Sequence, residues 1–295
     1  MDLKSVVSKM KWELIERIYP DKKYLSVIFK RRLGYQMDWK NPVSFNQKLQ
    51  WMKLYDRNPL YSQYADKIAV RDFVAETIGE RYLIPALGIY EKADEIDFNS
   101  LPDRFVLKCN HGAKYNIICK DKEKFDAEAA KKQLNIWLKD KYWRKKREYH
   151  YKAIKPMIIC EQYIEDSQTG TLNDYKVFMI HGEPYMIQVD MDRFYEHTRN
   201  IYDVNWNLLD VEISFPKGKA DAVKRPTNLD EMLECARKLS KNFAEVRVDF
   251  YVINSQLYFG EMTFFSGAGF SKYSPTEFEF EMGRKLQQTR MRGSE

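Results

Sequence analysis

Glycine is scarce in this chain, with twelve in 295 residues. Neither G-x-x-x-x-G-K-[ST] nor G-x-G-x-x-G occurs, which excludes the P-loop and dinucleotide-binding loops and leaves room only for a short phosphate turn. Cysteine is scarcer still. Cys109, Cys119, Cys160 and Cys235 form no C-x-x-C pair and have no histidine at metal-ligand spacing. That pattern argues against zinc and for reduced, buried thiols in a cytosolic protein. No run approaches the roughly 18 apolar residues of a membrane span. The opening MDLKSVVSKMKWELIERIYP lacks the apolar core and cleavage site of a signal peptide. A large excess of one charge is also missing. A net charge of +6 suits an anionic substrate, a nucleic acid or a membrane surface and decides between none of them.

What is present is apolar and aromatic. Hydrophobic residues make up 44% and aromatic residues 15%, enough for a sizeable core with rings and hydroxyls to spare for a site. The first 60 residues read as helical, with Leu3, Val6, Val7, Met10, Leu14, Ile15 and Ile18 in one stripe. Ser44 and Gln47 predict a capping box, and Asp66 predicts the cap of a helix through Val70 and Val74. Beyond residue 104 the period shortens. RFVLKC, NIIC, MIICEQYI, YKVFMI and EPYMIQVDM read as strands, interrupted by a long helix from Asp126 and another from Asn228, with Glu231 as its box partner. EVRVDFYVI and QLYFGEM close the series. Strand-rich blocks without regular βαβ repetition predict α+β units with largely antiparallel sheets.

The strongest chemical signal is the hairpin Arg247-Val248-Asp249 … Gly260-Glu261-Met262-Thr263. Arg247, Asp249 and Tyr251 share one strand face while Val246, Val248 and Phe250 share the other. A two-residue loop would put Asp249 opposite Gly260 and leave Glu261 among buried valines. An odd loop centred on Ser255, pairing Ile253 with Leu257, would set Asp249 across from Glu261. The second register brings two carboxylates within about 5 Å, which is repulsive unless a cation lies between them, and Mg²⁺ with phosphate oxygens is a natural occupant. Solvated acids on an edge hairpin are the alternative, and spacing alone leaves both open.

Cations are scattered at strand ends. Lys108 lies inside an apolar strand just before Asn110-His111-Gly112-Ala113-Lys114, from where it can reach phosphates or snorkel to the surface. Lys67 follows Asp66, Asp174 and Lys176 share a strand face, and Arg193 closes a strand. Together with two acids suited to a metal, they make up a triphosphate–magnesium inventory. The run Lys139 to Lys152 interleaves cations with aromatics. It is read as a solvated helical end with inward aromatics, and peripheral membrane contact is a second option. No RRM, KH or zinc-finger pattern accompanies it, so nucleic acid is not expected.

Seven ordered blocks resemble the TupA-like branch of the ATP-grasp superfamily. They are NPVSFNQKLQWMKLYD, DKIAVRDFV with IGERYLIPALGIY, LPDRFVLKCNHGAKYNI, IICEQYI, NDYKVFMIHGEP, RVDFY and YFGEMTF, spanning about residues 25 to 285. The resemblance implies an α+β ATP-grasp fold, with two α+β subdomains clasping ATP behind a helical N-terminal region. The expected boundaries are 1–62 for that region, 63–155 for the phosphate loop and lid, 156–285 for the adenine hinge and metal site, and 286–295 for a tail. It further implies that Lys67 and Lys108 contact ATP phosphates under a turn formed by His111, Gly112, Ala113 and Lys114. Glu161 with the backbone of Gln162, Tyr163 and Ile164 would form the adenine hinge. Asp174 would meet the ribose, and Lys176 a phosphate or carboxylate. Asp249 and Glu261, with Thr263 in the third position, would hold Mg²⁺. Arg247, Lys108 and Arg193 would steady charge during catalysis.

The implied activity is an ATP-dependent carboxylate–amine ligase of the cytoplasm, working through an acylphosphate. It would join an amine or amino acid to a small-molecule or glycan carboxylate, such as a uronic acid, in cell-surface polysaccharide assembly. A glycosyltransferase using Asp190-Met191-Asp192 as a D-x-D motif is the enzymatic alternative. A non-catalytic scaffold using the 139–152 surface is the other.

Overall fold

The computed structural model of the chain describes residues 14–15, 18–165, 173–191, 198–219 and 222–286. Arg193 and Asp192 lie outside them, as does the stripe from Leu3 to Met10. Among the described residues, helices α1 (Asp21–Leu33), α2 (Phe45–Tyr55), α3 (Leu60–Ala65) and α4 (Val70–Thr77) precede the first strand. The strands are β1 (Ala86–Tyr90), β2 (Phe105–Cys109), β3 (Asn116–Cys119), β4 (Ile158–Gln162), β5 (Asp174–Ile180), β6 (Glu183–Met191), β7 (Thr198–Tyr202), β8 (Glu212–Ile213), β9 (Glu245–Ile253), β10 (Gln256–Thr263) and β11 (Tyr273–Ser274). Helix α5 (Ala127–Lys139) interrupts the first group. Helix α6 (Leu229–Ser240) precedes β9, and α7 (Thr276–Lys285) ends the described chain.

Two antiparallel sheets carry the molecule, in the orders β1-β4-β2-β3 and β10-β9-β5-β6-β7, beside a small β11-β8 pair. The chain is therefore α+β, as its strand-rich blocks predict. Strand β4 belongs to the four-stranded sheet, so the change of sheet falls after Gln162. In that sheet the alternation Phe105, Leu107, Cys109 on β2 meets Ile158 and Cys160 on β4, and this face packs against Leu134 of α5. The opposite face carries Ile89, Ile159, Lys108 and Asn116 in one row, with Glu161, Val106 and Ile118 in the next. In the five-stranded sheet, Val246, Val248 and Phe250 face the same core as Leu229, Met232 and Leu239 of α6. All four cysteines are buried and unbonded.

Local signals hold in part. Ser44 accepts from the Gln47 amide while Gln47 accepts from the Ser44 amide, forming the predicted capping box of α2. Asp126 caps α5 at the Ala129 amide, 2.8 Å, but α5 stops at Lys139 and 3-10 turns follow at Tyr142–Lys145 and Tyr149–Lys152. The segment expected to be a solvated helical end folds inward. Arg147, Glu148, His150 and Tyr151 are buried, because the aromatic residues of the run draw their neighbours into the core. Asn228 makes no capping bond. Its expected partner Glu231 accepts instead from Tyr82, 2.6 Å, and Arg81, 3.1 Å, a tertiary contact that outcompetes the local one. Asp66 accepts from Ile68 and Ala69 in the turn before α4, so it caps the turn rather than the helix itself.

Helix α7 seats on the entry to α2 through Gly283. A Cβ there would meet Val43 O at 2.2 Å and Phe45 N at 2.8 Å, both backbone atoms with no freedom to move aside. Gly283→Ala should therefore destabilise the protein by about 1–3 kcal/mol through overpacking, read as a lowered urea midpoint at unchanged m-value.

Candidate active site

The hairpin of β9 and β10 turns through Asn254 and Ser255, both with positive φ (49° and 63°). These are the two residues of a primed two-residue turn, which pairs Ile253 with Gln256. The odd-length loop expected from the sequence is not formed. Asp249 nevertheless faces Glu261, because the register shifts between Phe259 and Glu261 and Gly260 is the extra residue of a bulge. Bulges insert one residue and reverse the facing of everything beyond. The bulge presses close to β9: a Cβ on Gly260 would lie 3.0 Å from Asp249 O.

One sheet row then runs Glu261–Asp249–Lys176–Gln188 across four strands. The neighbouring row places Asp174 beside Asp190 and Asp190 beside Arg199. Arg247 clasps Asp249 with two bonds of 2.6 Å and donates to Thr263 Oγ1 at 3.1 Å. Thr263 in turn donates to Glu261 at 3.2 Å. Lys176 pairs with Asp174 and lies 3.3 Å from Asp249. Lys67 bridges Glu261, 3.1 Å, and the carbonyl of Gly112, 2.9 Å. Burial raises the pKa of Glu261, but Lys67, Arg247 and Lys176 outweigh it and hold the carboxyl down to about 2. Burial wins at Asp249, whose pKa is raised despite Arg247 and Lys176.

On the four-stranded sheet, Glu161 accepts from Lys108 at 2.6 Å and from Arg71 at 3.2 Å. Lys67, Arg71, Leu83, Lys108, Glu161, Phe259 and Gly260 line a cleft between the two sheets. Beside it the uncovered sheet face leaves Ile89 and Ile118 exposed, an apolar shelf next to the lysine. The structure thus gathers Lys67, Lys108, Gly112 and Glu161 at the cleft, and Asp174, Lys176, Arg247, Asp249, Glu261 and Thr263 in one network, joined by Lys67. Ala113 and Lys114 continue the Gly112 turn, with Lys114 exposed at φ 65°. His111 is committed elsewhere: its ring meets Trp137 O at 3.1 Å, and burial lowers its pKa. The Gln162 amide donates to Pro85 O, 3.0 Å. Tyr163 donates to Glu165, 2.9 Å, under the Arg104 guanidinium, and Ile164 follows β4 half-buried.

Arg71, Leu83 and Phe259 escaped sequence reasoning. Arg71 in α4 stands four residues after Lys67 in the turn before it, and both reach the cleft; that spacing was the available signal. Leu83 and Phe259 look like ordinary core residues, and nothing local distinguishes them.

Residues 47–287 match the TupA-like ATPgrasp family. The chain belongs to that family. With it comes the ATP-grasp fold, here built from the two antiparallel sheets. Among curated proteins none matches the sequence. Solved structures resemble it distantly. A D-alanine–D-alanine ligase from Bacillus anthracis complexed with ATP is 15% identical at a TM-score of 0.39, over 68% of this chain and 54% of that one. One from Helicobacter pylori is 13% identical at 0.45, over 86% and 69%. An N5-carboxyaminoimidazole synthetase from Staphylococcus aureus complexed with ADP is 14% identical at 0.42, over 73% and 50%. The chain spans about half the length of the first of these. Family membership carries the assignment; these likenesses add no weight.

The fold family implies magnesium, and the donor set fits. Among the described residues no group of three His, Cys, Asp or Glu is arranged as a metal site. Magnesium needs only one or two carboxylates when phosphates supply the remaining oxygens. Asp249 and Glu261 are such a pair, with the Thr263 hydroxyl between Arg247 and Glu261. No described helix is long and apolar enough to cross a membrane.

A depressed carboxyl pKa stabilises the fold above its unfolded value and loses that contribution as pH falls towards the folded one. For Glu261 the window runs from its ordinary 4.5 down to about 2. Lys67→Met removes the nearest cation and brings the folded pKa back towards 4.5. Urea denaturation from about pH 6 to pH 3 should then show a shallower loss of stability in the variant than in the wild type.

Proposed function

We propose that this family member is an ATP-dependent carboxylate–amine ligase. The observation that carries the reading is the junction at Lys67. It joins a cleft holding Lys108 and Arg71 to a carboxylate pair, Asp249 and Glu261, on the facing sheet. An apolar shelf beside cations suits a purine with its phosphates. Ile89, Val106 and Ile118 would take the ring, while Lys108, Lys67 and the Gly112 turn take the phosphate chain. Glu161 orients Lys108 and Arg71 in this arrangement, and Asp174 stands in the network that would meet the ribose.

A carboxylate at neutral pH is a poor electrophile. Attack of its oxygen on the γ-phosphorus of ATP breaks the bond to the bridging oxygen and gives an acylphosphate and ADP. An amine then attacks the acyl carbon, forming the amide, losing a proton and expelling inorganic phosphate. Asp249 and Glu261 would hold Mg²⁺, whose chemistry is to neutralise phosphate charge and polarise the phosphoryl group. Arg247, fixed by its two bonds to Asp249, supplies a preformed positive charge near the acyl oxygens. Lys67 and Arg247 keep Glu261 ionised, and Arg247 and Lys176 offset part of the cost of burying Asp249.

The acceptor is read as a carboxylate of a small molecule or glycan in cell-surface polysaccharide assembly, with an amine or amino acid as its partner, in the cytoplasm. This finer reading rests on the family resemblance. Asp190, the first acid of the D-x-D pattern, is buried and engaged by Arg199 at 2.6 Å, and the second, Asp192, lies outside the described residues.

Titration calorimetry of Mg-ATP decides the nucleotide. The wild type should bind, and Asp249→Asn and Lys108→Met should each weaken binding by at least about tenfold, a loss of about 1.4 kcal/mol. Heat from a UDP- or GDP-sugar with none from ATP would overturn the ligase reading.

A further inference from the structure

Beyond Thr263 the chain enters a loop that few residues adopt unaided. Phe265, Gly267, Ala268 and Gly269 all have positive φ (56°, 61°, 56° and 66°). Two of the four carry a side chain, for which this region is costly. Such a conformation persists only when surrounding groups over-determine it, and here they do. Glu245 accepts from the Phe265 amide, 3.0 Å, and the Ser266 hydroxyl, 2.9 Å. From the other side, α2 presents Asn46, Gln50 and Lys53, at i, i+4 and i+7 on one helical face. Gln50 donates to the carbonyls of Ala268, 3.0 Å, and Gly269, 2.6 Å. Lys53 donates to Ala268 O at 2.9 Å and Lys146 O at 2.8 Å. Asn46 and Ser271 exchange two bonds, Nδ2 to the Ser271 carbonyl at 2.7 Å and the Ser271 amide to Oδ1 at 3.3 Å. All three side chains are buried. A helix packed purely for stability would present apolar groups here; this one presents donors, each aimed at a backbone carbonyl.

The position of the loop gives those contacts a purpose. Along β10, Phe259 and Gly260 line the cleft, Glu261 and Thr263 carry the carboxylate end, and the loop comes next. It therefore follows the carboxylate end of β10, with the cleft-lining Phe259 and Gly260 at the other side of those carboxylates along the strand. We propose that Asn46, Gln50 and Lys53 of α2 are positioning residues that set the 265–271 loop for the transfer step without touching nucleotide. The inference rests on the ligase reading above only for the step it names; the clamp itself is geometry.

Lys53 makes the device sensitive to pH. Burial lowers its pKa to about 7, partly offset by Glu148. The groups facing it are Glu148 and Lys146 from the 142–152 turns, Arg32 from α1 and, more weakly, His150. Burial raises the pKa of Glu148. The loop side offers Phe270, whose ring centroid lies 4.7 Å from the ammonium, and no titrating group. Below about pH 7 the ammonium is charged and grips two carbonyls. Above it the grip loosens and Glu148 loses its counter-ion.

Three measurements on the full chain test this. Hydrogen exchange over residues 264–272, corrected for intrinsic rate, should lose protection as pH rises through about 7 in the wild type. Lys53→Met should lose it at every pH, while peptides over Lys108 and Glu161 stay unchanged. Gln50→Leu, which removes no ionisable group, should loosen the loop without adding a pH dependence. Steady-state phosphate release from Mg-ATP should fall by about ten- to a hundredfold in both variants, the scale of a 1 Å misplacement, with Mg-ATP affinity unchanged. Lys53→Arg, which keeps its charge, should move the alkaline limb of that profile upward. Wild-type protection of 264–272 in Lys53→Met and Gln50→Leu overturns the proposal. So does loss of Mg-ATP affinity in step with turnover, since the helix would then serve the fold as a whole. Failure of the wild type to bind Mg-ATP removes the ligase reading, yet the exchange data still judge the clamp.

Discussion

Two carboxylates cannot share a buried sheet face without cations, and the rest of this structure is arranged around that constraint. Asp249 and Glu261 are neighbours across β9 and β10, and charge of one sign at that separation is repulsive in a medium of low polarity. Arg247 meets the first, Lys67 the second, and Lys176 reaches across from β5. Each cation ties a different part of the chain to the hairpin. Lys67 matters most, because it comes from the turn before α4 and holds the Gly112 carbonyl as well. The Gly112 turn, the segment before α4 and the carboxylates are thus parts of one electrostatic assembly.

The same constraint explains why the bulge sits where it does. A plain two-residue hairpin would send Glu261 to the face of Val248 and Phe250, both fully buried. One extra residue at Gly260 returns it to the polar face. The bulge lies at Phe259 and Gly260, which line the cleft, so the device that satisfies the charges also shapes that cleft. Beyond the hairpin, the N-terminal helix α2 takes part in the same region. It packs under Gly283 on one side and holds the loop after Thr263 on the other, so a segment early in the chain is structurally adjacent to the end of β10.

Much of the fold was legible because it depends on short-range pattern. The strands Asn116–Cys119, Glu183–Met191 and Glu245–Ile253 stand where alternation put them, and the Ser44–Gln47 box forms as written. Local pattern gives way where a distant partner outcompetes a local one: Glu231 bonds Tyr82 and Arg81 rather than Asn228, and the basic run after Lys139 folds inward with Arg147 and Glu148. The strand Ala86–Tyr90 carries no buried apolar alternation that would mark it in the sequence, since Leu87 and Ile89 are exposed.

The sequence by itself determined which residue types were available, the α+β character, and the family through ordered blocks along the chain. It also determined that Arg247 and Asp249 share a face, since that follows from strand period alone. Only the tertiary structure decided that Glu261 stands across from Asp249 by way of a bulge, that Arg71 joins Lys108 on Glu161, and that Lys53 is buried beneath the 265–271 loop. The physical reason is the same in each case. Period and propensity act within a few residues, whereas register, burial of charge and the meeting of side chains far apart in sequence depend on the whole chain having closed around them.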